Sequence, residues 1–363
     1  MPIHEESFRI GCGRYVQGKG YINKLPEEIF RLGSRPLIIG DDTTLSLTRD
    51  NILKELSSTS IIPQFYLHNG SCNHTGAKSI ADFSKEKGCD VIIGVGGGVL
   101  MDIAKLSAFY AALPVINVPT SSATCAAYAP LSVCYTQEGR TIGTKHYENE
   151  VNCVIVDTEI LIGQPVNLFL AGVFDALAKF VEIKHRYKES NESYPMGLDY
   201  AYVMAKRSFD LLTAKTAKCI ADMEAGDVSY DFENVIFTTI AATGVISGIA
   251  RGSNQTALAH KFYEMTRLLF PESSRPYLHG EIVGVGLLLQ NHYNGEESSN
   301  DHLISLMKSH AMPYRPSDVG ADVSETSFDE YYTRICNSSA IDKNDTAMCE
   351  KFKESLKYFW NIQ

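Results

Sequence analysis

Over roughly the first 160 residues, short apolar runs alternate with stretches whose apolar positions recur every three or four residues, the change of period expected where strands and helices take turns. The runs at 37–39, 62–68, 91–95, 114–118, 131–135 and 154–157 are bounded by glycine, proline or polar clusters and read as strands, while 24–32, 45–57 and 75–88 read as helices. Residues 9–23 read as a short strand and turn leading into the first helix, 136–139 as a hairpin turn, and 154–157 as the strand returning from it. Such alternation predicts a parallel sheet covered on both faces. After about residue 160 strand-like runs almost vanish, and helical patterns cover 166–188, 197–215, 232–249, 255–269, 280–293, 301–310 and 346–360. The expectation is an α/β domain with a Rossmann-like parallel sheet over 1–160 and an all-α domain over 161–363, in keeping with 363 residues, more than one core usually holds.

The change of period is sharpest at DVIIGVGGGVLMDIAK, residues 90–105. Val91, Ile92, Ile93 and Val95 form a continuous apolar run, whereas Met101, Ala104, Leu106 and Phe109 fit helical spacing. Between them Gly96, Gly97 and Gly98 carry no Cβ, so a ligand can approach the backbone where the unpaired N–H groups of the helix start face outward. That arrangement suits a phosphate; a plain tight strand–helix turn is the alternative. The spacing is not that of the common Gly-x-Gly-x-x-Gly fingerprint. Asp41 follows the apolar run 37–39, at a strand's carboxyl end, where it either accepts hydrogen bonds from an adenosine ribose or caps the next helix. The run PTSSATCAAYAP at 119–130 is too polar for a core, and Thr120 and Ser121 either donate to a pyrophosphate or carboxamide or belong to a solvated loop.

In the second half Asp175 lies among Phe174, Leu177 and Ala178, where a buried carboxylate is costly unless it is paired, with Lys179 one turn on, or bound to a metal. His260 falls within a helical pattern and His279 at the foot of the next, joined by a compact loop. Either histidine alone reads as a core or cap residue; beside Asp175 the two would give three N/O ligands with one position open, the arrangement of a catalytic divalent ion.

A hydrophobic content of 44% with 21% charged residues describes a folded protein, and a net charge of −10 argues against nucleic-acid or anionic-membrane partners. The N-terminal MPIHEESFRI lacks a signal-peptide core and no apolar stretch reaches about 18 residues, so a cytoplasmic protein is expected. Nine scattered cysteines without a Cys-x-x-Cys pair read as reduced thiols.

The glycine block, with Asp102 and Lys105 in place, resembles that of the iron-containing alcohol dehydrogenase and glycerol dehydrogenase superfamily, as do the segments 9–23 and 119–135, and the resemblance extends to about residue 293. It implies a dehydroquinate synthase-like fold and a hydride transfer between NAD, or NADP, and a small alcohol or polyol. One divalent metal, zinc ahead of iron, would be held by Asp175, His260 and His279. It further implies cofactor contacts from Asp41, Gly96, Gly97, Gly98, Asp102, Thr120, Ser121, Ser132 and Tyr135, and a homo-oligomer. ATCAA at 123–127 and LAGVFDALAK at 170–179 resemble the hydroxycarboxylate dehydrogenase branch, which implies a 2-oxoacid reductase as the alternative. A carbon–oxygen lyase of the dehydroquinate synthase type is the rival from another class, although 119–130 offers no lysine or arginine for a phosphorylated acid. A ligand-binding remnant should have lost a ligand, and none is missing.

Three positions depart from the family pattern. Val99 stands where relatives carry a lysine, and Tyr263 where many carry a second histidine. Cys125 stands where glycerol dehydrogenases direct an aspartate at the polyol, which makes it a catalytic-site candidate that shifts selectivity away from glycerol, or else a filler of an apolar gap. Asp41, with Asp42 beside it, implies a preference for NAD, because a carboxylate near the ribose repels a 2′-phosphate.

Overall fold

The computed structural model describes residues 10–137, 140–187, 196–250 and 252–362. The expectations for residues 1–9, and for Glu138 and Gly139 in the hairpin turn, lie outside the described residues. The chain divides into two compact units: an α/β unit of residues 10–165 together with 215–248, and a helical unit of 166–214 together with 249–362.

In the α/β unit the strands β1 (Tyr15–Gly18), β2 (Pro36–Gly40), β3 (Gln64–Leu67), β4 (Val91–Gly96), β5 (Val115–Pro119) and β8 (Cys153–Asp157) form one sheet in the order β1-β8-β5-β4-β2-β3. Every neighbouring pair is parallel. Strands β2, β4, β5 and β8 are buried along their whole length, which is why they appear in the sequence as continuous rather than alternating apolar runs. Ile38, Ile93, Val95, Ile116 and Ile155 pack in one core with Leu25 and Ile29 of α1 (Leu25–Leu32) and Ile52 of α2 (Asp42–Leu56). From β2 the chain first adds β3 on one side and then, through α3 (His74–Glu86), β4 on the other. Such a reversal opens a crevice beyond the carboxyl ends of the two strands, here after Gly40 of β2 and Gly96 of β4.

Two expectations change. The partner of β6 (Leu131–Tyr135) is β7 (Thr141–His146), paired antiparallel in its own two-stranded sheet, while the run at 154–157 belongs to β8 of the main sheet. The sequence TIGTKH of β7 is almost wholly exposed and has no apolar alternation to announce it. Secondly, residues 215–248 belong to the α/β unit rather than to a helical domain beginning at 161. Here α8 (Tyr230–Phe237) lies against β1: Gln17 Nε2 donates to the Glu233 carbonyl at 2.8 Å, and the Phe237 ring meets Tyr15 edge-on at 5.7 Å. A helix's periodicity shows that it has an apolar face, not which unit covers it. The helical run Tyr230–Ala250, 21 residues including a π-helical turn Thr238–Ala242, is long and apolar enough to cross a membrane, unlike any stretch expected from the sequence. Of its most apolar window 67% is buried within the protein, as in a core helix.

The helical unit contains α6 (Val166–Arg186), the start of α7 (Met196–Ala225), α10 (Leu258–Leu269), α12 (His279–Asn294), α13 (Ser298–Ser309), α14 (Glu325–Cys336) and α15 (Thr346–Trp360). Phe169, Phe174, Phe262, Tyr331, Phe352 and Phe359 fill its core. Helix α12 lies directly on α6: a Cβ at Gly280 would stand 1.9 Å from the Ala171 carbonyl oxygen, so only glycine permits the contact. This approach sets the first turn of α12, with His279, beside the middle of α6.

Candidate active site

Gly96 has φ +150° and a Cβ there would meet Leu100 at 2.1 Å, so the turn from β4 into α4 (Gly98–Ala111) requires glycine. Gly97 caps α4 without a side chain, its carbonyl accepting from the N–H groups of Leu100 and Met101 at 3.0 Å each. The first N–H groups of the helix therefore have no capping side chain, as a phosphate site demands. Thr120 N–H donates to the Gly96 carbonyl at 3.0 Å, and Ser121 Oγ and Thr124 Oγ1 lie 3.5 and 3.1 Å from where Cβ atoms of Gly97 and Gly98 would be. The hydroxyl loop thus runs along the glycine turn, bringing Gly96, Gly97, Gly98, Thr120 and Ser121 together. Val99 is exposed.

Asp41 is at the adjacent strand end and makes the helix cap: its Oδ1 accepts from Thr44 N–H at 2.7 Å, and its own N–H donates to Thr44 Oγ1 at 3.0 Å. Asp102 and Ser132 face inward. Ser132 Oγ donates to the Asp102 carbonyl and accepts from the Tyr147 hydroxyl, both at 2.8 Å. Burial holds the Asp102 carboxyl above its usual range even though Lys105 stands 2.9 Å away. Tyr135 is half-buried and its N–H donates to the Cys72 carbonyl at 2.8 Å; Cys125 is half-buried, its carbonyl accepting from Tyr128 and Ala129 N–H in a tight turn. No disulfide joins any of the nine cysteines.

Lys105, given no role in the sequence, holds this region in place. Its buried ammonium donates to the carbonyls of Ala126 at 2.7 Å, Ala129 at 2.9 Å and Leu131, while Asp102 Oδ2 accepts from Val133 N–H at 3.0 Å. The available signal was a Lys–Asp pair at i, i+3 on an otherwise apolar helix.

The second cluster lies wholly in the helical unit. Asp175 projects from the middle of α6, His260 from the first turn of α10 and His279 from the first residue of α12. One ligand atom from each lies within 4.8 Å of the others. Asp175 Oδ1 is 3.4 Å from Nε2 of both imidazoles, and this buried oxygen has no hydrogen-bond partner among the described residues. An orphaned carboxylate oxygen facing two imidazole nitrogens fits a divalent cation, which would satisfy all three at once. Lys179 Nζ stands 3.9 Å from the same oxygen. Tyr263 meets the His279 ring edge-on at 4.3 Å.

A residue that sequence reading missed supports His260. Glu182 is fully buried seven residues beyond Asp175 on α6, and its carboxylate accepts from the N–H groups of Ala257 at 2.7 Å and His260 at 2.9 Å and meets His260 Nδ1 at 2.5 Å. Burial opposes charge on Asp175 and on Glu182. Even so, Lys179 and the two imidazoles hold Asp175 well below the usual carboxyl range, and His260 holds Glu182 below it. Burial would favour a neutral His260, but Glu182 raises it, whereas burial lowers His279. The two acids are thus held ionised, as cation ligation by this cluster would require. The only other signal for Glu182 was a second acid on the same face of an apolar helix.

A doubly wound parallel sheet open at a glycine turn and a helical unit whose Asp175, His260 and His279 could hold a metal ion are features expected of a metal-dependent dehydrogenase. Residues 12–158 match the family described as iron-containing alcohol dehydrogenase. The chain is 29% identical over 340 residues to glycerol dehydrogenase of Thermotoga maritima, covering 92% of this chain and 89% of that protein. With glycerol dehydrogenase of Escherichia coli O6:H1 it shares 30% over 280 residues, covering 77% and 75%. The crystal structure of glycerol dehydrogenase from Schizosaccharomyces pombe has the same fold, with a TM-score of 0.80 at 22% identity over 98% of this chain and 90% of that one. The chain belongs to the iron-containing alcohol dehydrogenase family and is an oxidoreductase acting on alcohols.

Proposed function

We propose that the protein transfers a hydride between NAD and a small alcohol or polyol, in the manner of glycerol dehydrogenase, with one divalent ion, zinc ahead of iron, held by Asp175, His260 and His279. The observation that carries this reading is the orphaned Asp175 Oδ1 between two Nε2 atoms at 3.4 Å. When bound, the cation supplies Lewis acidity at the substrate oxygen and the nicotinamide accepts the hydride. The overall change would be a two-electron oxidation of the carbinol with release of one proton to solvent. Gly96, Gly97 and Gly98 would cradle the pyrophosphate on the α4 N–H groups, with Thr120 and Ser121 donating beside them. Asp41 would accept from the ribose, and Tyr135 would line the cofactor's edge. Asp102 and Ser132 would act from behind, through the loop they hold. The enzyme is proposed to work in the cytoplasm as a homo-oligomer.

A second reading, reduction of a 2-oxoacid, draws on Lys179, buried within 3.9 Å of Asp175, which would favour an anionic substrate, and on Cys125, a cysteine in place of a carboxylate. The test is a spectrophotometric screen of glycerol, vicinal diols and 2-oxoacids with NAD(H) and NADP(H), alongside metal analysis of wild type and His260→Ala. One ion per chain and NAD-linked turnover, both abolished in the variant, are expected. A His260→Ala protein with stoichiometric metal and normal turnover overturns the assignment.

A further inference from the structure

We infer that Glu182 selects the tautomer of His260 and thereby sets the affinity of the cluster for its cation. The inference rests on the reading of Asp175, His260 and His279 as cation ligands, and concerns a residue outside that set. The residue before helix α10 is Ala257, whose methyl group cannot cap it. Glu182 takes over that task from α6: Oε1 accepts from both Ala257 and His260 N–H, and Oε2 is left for the His260 ring. Two backbone donors on Oε1 stabilise the ionised form of the buried carboxylate, and an ionised carboxylate only accepts. Nδ1 must therefore carry the ring hydrogen. The lone pair of the neutral ring then lies on Nε2, the atom 3.4 Å from Asp175 Oδ1. Backbone and ring are gripped by one buried carboxylate, so the ring plane is fixed relative to the helix that carries it. Partners of this kind fix ring orientation and raise the basicity of a ligating histidine, and their loss costs ten- to hundredfold in metal affinity.

The test uses the full chain and zinc. Glu182→Gln retains one oxygen to cap α10 but turns an amide N–H donor toward Nδ1, which drives the ring hydrogen to Nε2. Zinc affinity, measured by competition with a chromogenic chelator, should fall ten- to hundredfold. NADH affinity, read separately by nucleotide fluorescence, should stay within about twofold. Glu182→Asp keeps the acceptor but shortens its reach, and should fall between wild type and Glu182→Gln. As a control for capping alone, Gln290→Leu removes the acceptor of Leu258 N–H without touching His260, and should leave zinc affinity unchanged. Zinc binding by Glu182→Gln within threefold of wild type overturns the inference, as does an equal loss in Gln290→Leu or a weaker Glu182→Asp. If wild type binds zinc no better than His260→Ala, the cation reading itself fails. If wild type binds and His260→Ala does not, while Glu182→Gln binds normally, only the role of Glu182 fails.

Discussion

Replacing Lys105 with Met should destabilise the α/β unit by about 3–5 kcal/mol and weaken NAD binding, although the Lys105 ammonium faces the loop and not the crevice. Its Nζ is bonded to the carbonyls of Ala126, Ala129 and Leu131 and stands 2.9 Å from Asp102 Oδ1. With Lys105 at 3% exposure and Asp102 at 6%, solvent cannot take over these bonds in place. Methionine fills similar volume, so the cavity contribution is small. What is lost is a buried partner, and breaking a buried pair costs about 3–5 kcal/mol because the remaining charge is uncompensated. Three orphaned carbonyls would each add roughly 1–3 kcal/mol, an amount the loop avoids by swinging away from α4. That movement carries Thr120 and Ser121 with it, which is why cofactor affinity should suffer. Urea unfolding followed by far-ultraviolet circular dichroism measures the first effect, and hydrogen exchange at Val133 N–H, which bonds to Asp102 Oδ2, measures it locally. Tryptophan fluorescence is the wrong probe, since the single tryptophan, Trp360, is in the helical unit. Adding Asp102→Asn should recover about 1–3 kcal/mol by removing the stranded charge. A Lys105→Met protein within 1 kcal/mol of wild type, with unchanged Val133 protection and NAD affinity, would refute the clamp.

His185 is buried with Nε2 bonded to the Ala340 carbonyl at 2.9 Å and Nδ1 to Gln290 Nε2 at 3.1 Å, and burial, aided by Arg186, lowers its pKa to about 4. Between about pH 6.5 and 4 the unfolded chain binds a proton that the folded chain does not, so stability should fall as pH drops through that window, by up to about 3 kcal/mol. His185→Gln should flatten that part of the stability–pH curve, and an unchanged slope in chemical denaturation would contradict it. At Asp41, Asp41→Ser keeps an acceptor for Thr44 N–H but removes the charge, so the NAD preference should drop roughly ten- to hundredfold, consistent with a charge-assisted hydrogen bond of roughly 1.5–3 kcal/mol. Steady-state kinetics with both cofactors would show it; an unaltered ratio moves the ribose away from Asp41.

The sheet was legible because its central strands are buried on both faces and so have no polar positions to interrupt them, and the glycine turn because Gly96 adopts a backbone angle that other residues rarely take. Strand β7 was not legible, since TIGTKH owes its place to pairing with β6 and not to burial. Nor was the allegiance of residues 215–248: Glu233 bonds to Gln17, 216 positions away, a contact that no local period encodes. Helix α14 was not among the helical patterns read, although those at 301–310 and 346–360 flank it, and Tyr331 within it is fully buried, its hydroxyl bonded to Thr266 Oγ1 at 2.8 Å. The Asp175, His260 and His279 cluster was legible for the opposite reason, because ionisable residues in apolar helical runs demand an explanation even before the fold is known.

The residues that support the glycine-turn loop and the Asp175, His260 and His279 cluster were not legible, and they share a physical logic. Lys105 on α4 and Glu182 on α6 are both buried charges whose partners are mainly backbone groups of a neighbouring segment. The cation satisfies three carbonyls of the loop after Thr124; the anion satisfies two amides at the start of α10. Each charge is of the sign that its segment's orphaned backbone groups require. Backbone partners leave no signature in side-chain pattern, which is why sequence reading found the groups positioned for ligands and passed over those that position them. The same argument sets an order of sensitivity. Apolar packing tolerates volume-conserving change at modest cost, whereas a buried charge cannot be neutralised without releasing the segment it holds. Substitutions at Lys105 and Glu182 should therefore disturb cofactor and cation binding more than comparable changes among the apolar residues around them.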